Sequence, residues 1–198
     1  FKNLYPVAGF NPKIAGRTEL RKIKQLGFIG IKIHTRFSKI NLKSDKKKIV
    51  SCLNHCAELG LVVFFCTYFA TSLEFYPDYD PFLELVKILK KTQSTKIILV
   101  HGGVQDLIKY SELCRFNNNL ILDLSLVLMK YSLSSIESDI FFLFNYFDRK
   151  ICIGSDYPEY SLKNIKSKFT YFSKGLSRDK KNNIAHLNIM NFLNIMNK

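Results

Sequence analysis

The chain has 198 residues, 47% of them hydrophobic, which is enough for one globular core and too many for a disordered chain. Thirty basic residues against 16 acidic ones give a net charge of +14. Only six of the bases are Arg and the Lys are scattered, which argues against a nucleic-acid partner, where bidentate Arg contacts lead. No run of about 18 uncharged apolar residues occurs, which excludes a membrane-spanning helix.

The elements read as follows in chain order. Residues 4–10 form a strand, 17–26 a helix, 29–34 a strand, 46–59 a helix, 61–67 a strand and 81–92 a helix. Then come a strand at 96–101, a helix at 105–116, a strand at 120–125, a helix at 134–147 and a strand at 151–155. The strands are apolar on successive residues, the mark of strands buried on both faces of a parallel sheet. In 46–59, Ile49, Leu53, Cys56 and Ala57 share one helical face, and Gly60 sits where a C-cap glycine belongs. Strict alternation of strand and helix predicts an α/β fold with right-handed crossovers, one domain over 1–198. Two architectures are open: a doubly wound sheet, or six of the eight units of a (β/α)8 TIM barrel. A dinucleotide fingerprint and a P-loop are both absent.

Cys52, Cys56, Cys66, Cys114 and Cys152 are odd in number and scattered. They read as reduced thiols in a cytoplasm rather than a disulfide scaffold. No secretory leader pattern stands at the start. The first residue is Phe1 rather than Met, and the expectation is that the chain is the remainder of something longer.

Polar, reactive side chains stand at the C-terminal end of nearly every strand: His34, Cys66 with Thr67, His101, Asp123 with Ser125, and Asp156. Parallel α/β folds place their chemistry there, where the βα loops converge. Lys32 and His34, two apart on one strand, point to the same side.

Four of these segments carry a resemblance. Ile97-Ile98-Leu99-Val100-His101-Gly102-Gly103 resembles the His-Gly-Gly strand of the amidohydrolase-related family. Ile153-Gly154-Ser155-Asp156-Tyr157-Pro158 is similar to that family's last strand, Leu122-Asp123-Leu124-Ser125 to the strand between, and Gly27–His34 to its Gly-Phe-x-Gly-x-Lys-Leu-His strand. Leu187-Asn188 falls where the family's closing helix carries an Asn. The resemblance implies a (β/α)8 barrel and a metal-dependent hydrolase or decarboxylase. It implies that Asp156 contacts the metal and takes a proton from the attacking water, a task suited to a carboxylate. It implies that His101 lines the pocket, polarising substrate or ligating metal, with His34 and Lys32 at the pocket. Arg36 is placed to pair with a substrate carboxylate.

The chain departs from the pattern at two points. The family's first-strand His-x-His pair of metal ligands does not occur, and Cys66 stands where a ligand His is expected. A thiolate can ligate zinc, so the candidate metal set is Asp156, Cys66 and His101, for a divalent ion, zinc. The expected substrate is a small molecule, with no nucleic-acid or membrane partner and with self-association open. The alternative is a degenerate barrel relative that binds a small molecule or a partner chain without metal. A third reading is an open α/β sheet with a phosphate near Gly102-Gly103. Cys52, His55 and Cys56 share a helix but read as core. Asp78 and Asp80, flanked by Pro77 and Pro81, read as a turn that caps the next helix.

Overall fold

The computed structural model describes residues 4–195; Phe1 lies outside the described residues. Strands and helices alternate as the apolar runs require. The elements are β1 (Val7–Gly9), α1 (Arg17–Gln25), β2 (Gly30–Ile33), α2 (Lys46–Leu59), β3 (Val62–Cys66), α3 (Pro81–Leu89) and β4 (Ile97–Val100). They continue with α4 (Leu107–Arg115), β5 (Leu120–Asp123), α5 (Val127–Lys130), α6 (Ser135–Tyr146), β6 (Ile151–Cys152) and α7 (Leu162–Phe172). The chain closes with α8 (Arg178–Asn182), one wide π-type turn over Asn183–Leu187, and α9 (Asn188–Phe192). No helix among the described residues is long and apolar enough to cross a membrane.

The strands are hydrogen-bonded in the order β1-β2-β3-β4-β5-β6. This order decides between the two architectures. A doubly wound sheet reverses direction at a switch point, whereas a barrel adds each strand beside the last. β1 and β2, β2 and β3, and β5 and β6 pair in parallel, with Ile31 opposite Val63 between β2 and β3, and Leu122 opposite Ile151 between β5 and β6. Every residue of β4 and β5 is buried, as in a parallel sheet covered on both faces, by crossover helices on one and by side chains of the strands themselves on the other. Gly30 is demanded by this packing: a Cβ there would lie 2.2 Å from the Val62 carbonyl oxygen.

The chain divides into two compact units, the first ending at Ile98 and the second starting at Leu99. In the first, α2 buries Ile49, Cys52, Leu53 and Cys56, spaced three and four apart as a one-sided helix requires. It ends at Gly60 in the left-handed region (φ 62°), whose N–H donates to the Ala57 carbonyl. Asp80 caps α3, accepting from the N–H groups of Phe82 (2.8 Å) and Leu83 (3.2 Å), with Pro81 in the first turn. Asp80 is therefore the helix cap that its flanking prolines predicted.

In the second unit, Tyr110 of α4, Leu143 and Phe144 of α6 and Phe172 of α7 are buried. The Phe172 ring lies 4.9 Å from that of Phe141 and 5.7 Å from that of Phe144. Burial of each such side chain contributes about 1.5–3 kcal/mol. Helix α7 and the short α5 and α8 lie where no helix was read from sequence. α7 buries only Ile165 and Phe172, too few apolar positions to stand out as a periodic face. β1 and β6 are shorter than their apolar runs. Pro6 has no N–H for a ladder at the start of β1, and the chain beyond Cys152 turns off at Gly154 toward Asp156 in the left-handed region.

Candidate active site

His101 follows the last residue of β4 and is 3% exposed. Its backbone takes φ 69°, and Gly102 and Gly103 follow at φ 58° and 75°. A Cβ on Gly103 would meet the Tyr110 ring at 2.0 Å and one on Gly102 would meet Leu107 at 2.7 Å. The double glycine is thus the condition for the turn to lie on α4. Asp156, four residues after β6, also has positive φ (53°). Val104 (φ 59°) and Leu126 (φ 65°), close by in the chain to His101 and Ser125, share this conformation, and together these residues mark locally strained backbone held by its surroundings.

The two side chains face each other, with His101 Nε2 3.9 Å from Asp156 Oδ1. That is too long for a hydrogen bond. Behind the imidazole lies Ser125, whose hydroxyl is 3.1 Å and whose carbonyl oxygen is 3.2 Å from His101 Nδ1. The Ser125 hydroxyl donates to Asp123 Oδ2 at 2.5 Å, and the Ser125 N–H donates to Asp123 Oδ1 at 3.0 Å. Asp123 and Ser125 are 9% and 4% exposed. A row of four side chains therefore runs Asp123, Ser125, His101, Asp156. Gly154 makes room for it: a Cβ there would lie 3.3 Å from Ser125 Cβ and 3.5 Å from Asp123 Oδ1. Beneath the row, burial and the adjacent Asp123 charge push the Cys152 thiol well above its usual range. Asp123 and Ser125 were legible as strand-end polar groups, but their link to His101 spans 24 residues and no local spacing encodes it.

The remaining candidates lie in the first unit. Lys32 is half-buried in β2, between Ile31 and Ile33, which are fully buried. His34 follows β2; its ring sits 4.1 Å from that of Phe37, and its Nδ1 lies 3.4 Å from the Phe37 N–H. The Arg36 guanidinium stands 4.2 Å over the Tyr68 ring, with Nη1 3.4 Å from the Ala70 carbonyl oxygen. It lines a cavity of about 530 Å³ together with Lys39, Phe69, Phe75 and Tyr79. Cys66 ends β3 fully buried, and its carbonyl accepts from the Thr35 hydroxyl at 3.2 Å. Cys52 and Cys56 are core residues of α2.

A catalytic zinc uses three protein ligands and a water. His101 Nε2 and Asp156 Oδ1 are donors of suitable chemistry. Among the described residues, however, no group of three His, Cys, Asp or Glu side chains gathers to hold an ion. The described side chains do not by themselves make up the metal set.

Strands that follow one another in chain order, with a His–Asp pair beyond their ends, fit an α/β fold of the barrel type. The amidohydrolase family model matches residues 7–195, and the chain belongs to the amidohydrolase family. Two solved structures share the fold. An uncharacterized TIM-barrel protein from Bordetella bronchiseptica is 20% identical with a TM-score of 0.73; the match covers 96% of this chain and 66% of that one. A dihydroorotase from Campylobacter jejuni is 15% identical with a TM-score of 0.65, over 98% of this chain and 65% of that one. The chain thus spans just under two thirds of the length of these relatives. No curated protein matches it.

Proposed function

We propose that the chain is the barrel domain of a hydrolase of the amidohydrolase family acting on a small carboxylated substrate, with decarboxylation as the neighbouring reaction. The observation that carries this is the approach of His101 Nε2 to Asp156 Oδ1 beyond the strand ends. In this reading Asp156 takes the proton of the attacking water, as a partly exposed carboxylate can. His101 faces the charge that develops on the substrate. Arg36, over the Tyr68 ring and lining its cavity, pairs with the substrate carboxylate, and Lys32 and His34 belong to the same substrate-binding set. Zinc is part of the proposal as a divalent ion held by His101, Asp156 and, as a thiolate, Cys66, with further ligands beyond the described residues. A cytoplasmic location is part of the same reading, in keeping with five buried cysteines that form no disulfide among the described residues.

The test is zinc titration and metal analysis of this chain and of the natural protein. The chain alone is expected to hold no stoichiometric zinc at micromolar concentration. The natural protein is expected to bind one ion and to lose turnover in Asp156→Asn. A tight site on the chain alone, abolished by Asp156→Asn or Cys66→Ala, would show that the chain builds its own metal centre. Absence of both metal and turnover in the natural protein would favour the alternative, a barrel relative that binds a small molecule or partner without metal.

A further inference from the structure

The cavity beside Arg36 carries charges that its own walls leave unmatched. It lies in the first unit, between the loop after β2 and the loop after β3. Two bases, Arg36 and Lys39, and two acids, Glu74 and Asp78, line its volume of about 530 Å³, a size typical of small-molecule pockets. The ion pairs of this unit lie elsewhere: Lys13 with Asp45, Arg17 with Glu58, and Lys46 and Lys87 with Glu84. Among the described residues, none of the four cavity charges is in an ion pair. Each base instead stands over a ring, Arg36 at 4.2 Å from the Tyr68 centroid and Lys39 at 5.1 Å from that of Phe75. The two loops are tied down. The Tyr79 hydroxyl accepts the Leu42 N–H at 2.8 Å, Lys13 Nζ donates to the Lys39 carbonyl at 2.9 Å, and the Thr35 hydroxyl donates to the Cys66 carbonyl at 3.2 Å. Both signs of charge are thus presented by a preformed cavity.

We propose that this cavity binds a zwitterion: an amino acid or short peptide with a large apolar side chain. The ligand carboxylate pairs with Arg36 and Lys39, and the guanidinium fork accommodates it on two parallel N–H groups. The ligand ammonium pairs with Glu74 and Asp78. The side chain lies against the aromatic wall to which Phe69 and Tyr76 belong. A ligand with a carboxylate alone would bring it up against two acids, and an amine alone would meet two bases. Only a ligand with both signs makes all four encounters favourable. The four lining charges cancel, as do the two on the ligand. This inference rests on the pairing of Arg36 with a carboxylate in the reading above and adds the ammonium to it.

The experiment compares matched probes on the full chain by heteronuclear NMR titration. Phenylalanine and glycyl-phenylalanine carry both charges, 3-phenylpropionate only the carboxylate and phenethylamine only the ammonium. At neutral pH the better of the two zwitterions is expected to bind about tenfold tighter than either single-ended probe, the worth of one charge-assisted hydrogen bond. Its shifts should map to residues 35–41 and 69–79. Glu74→Gln combined with Asp78→Asn should weaken the zwitterion about tenfold and leave 3-phenylpropionate no weaker. Arg36→Gln should weaken both. Glu74 and Asp78 are exposed, so these changes leave the fold intact, and the comparison of probes on the wild type stands without any variant. Binding of 3-phenylpropionate as tight as that of the zwitterions would overturn the ammonium site and leave the pairing of Arg36 with a carboxylate standing. No binding of either zwitterion at millimolar concentration, or shifts confined to other segments, would overturn the inference outright. Zwitterion selectivity in a natural protein without turnover would count against the hydrolase reading and leave the binding site standing.

Discussion

The side-chain amide of Asn188, at the start of α9, donates to the Ile151 carbonyl in β6 at 2.7 Å and to the Asp148 carbonyl at 2.5 Å. The closing helix is thereby tied to the strand that leads to Asp156. Asn188→Ala leaves both carbonyls without this donor. The expected cost is about 1–3 kcal/mol, read as a fall in the urea midpoint with an unchanged slope.

Gly103 stands at φ 75° with the Tyr110 ring in the place of its missing Cβ. Gly103→Ala should lose at least about 2 kcal/mol, combining left-handed strain with the clash. Joining it to Tyr110→Ala removes the clash and keeps the strain. The double mutant should therefore be more stable than the sum of the two singles by about 1 kcal/mol, and strict additivity would show that the ring is not what requires the glycine.

Asp156→Asn separates function from stability. Asn tolerates positive φ as well as Asp, so thermal unfolding should move by no more than about 0.5 kcal/mol. Turnover should be lost, because an amide cannot accept the water's proton. Retained turnover in a folded Asp156→Asn protein would remove Asp156 from the reaction.

Glu84, 6% exposed, lies 2.6 Å from both Lys46 and Lys87. The close ammonium of Lys46 and then the hydrogen bond from Lys87 hold its carboxyl below the usual range. A lowered folded-state pKa contributes stability that is present above the unfolded value and disappears as pH falls through the folded one. Wild type should thus exceed Glu84→Gln in stability near pH 7. The two curves should converge as pH drops below the ordinary Glu range, with no convergence on the alkaline side up to the Lys titration.

The cysteines should be inert in the folded protein. All five are buried; burial pushes Cys114 up to about 12, and the hydrogen bond to Cys52 together with burial raises Cys56 further. Only the thiolate alkylates. Iodoacetamide at pH 8 should label none of them faster than the protein opens, as followed by mass spectrometry. Rapid native labelling of Cys66 would show a site more open than its burial allows.

The apolar runs were sufficient to locate all six strands and five of the helices, because a strand buried on both faces and a one-sided helix write their periods locally. Gly60 and Asp80 were legible for the same reason, since a cap is chosen by its neighbours within one turn. The motifs around His101 and Asp156 carried the family. The apolar runs alone left strand order open, since pairing joins segments some 20–30 residues apart whose apolar faces are interchangeable in sequence; the family resemblance implied a consecutive order, and the tertiary structure has it. The seating of Asp123 and Ser125 behind His101 is of the same kind. Local sequence marks each as a polar strand end, but the approach of Ser125 to the His101 ring exists only once β4 and β5 deliver those ends to the same place.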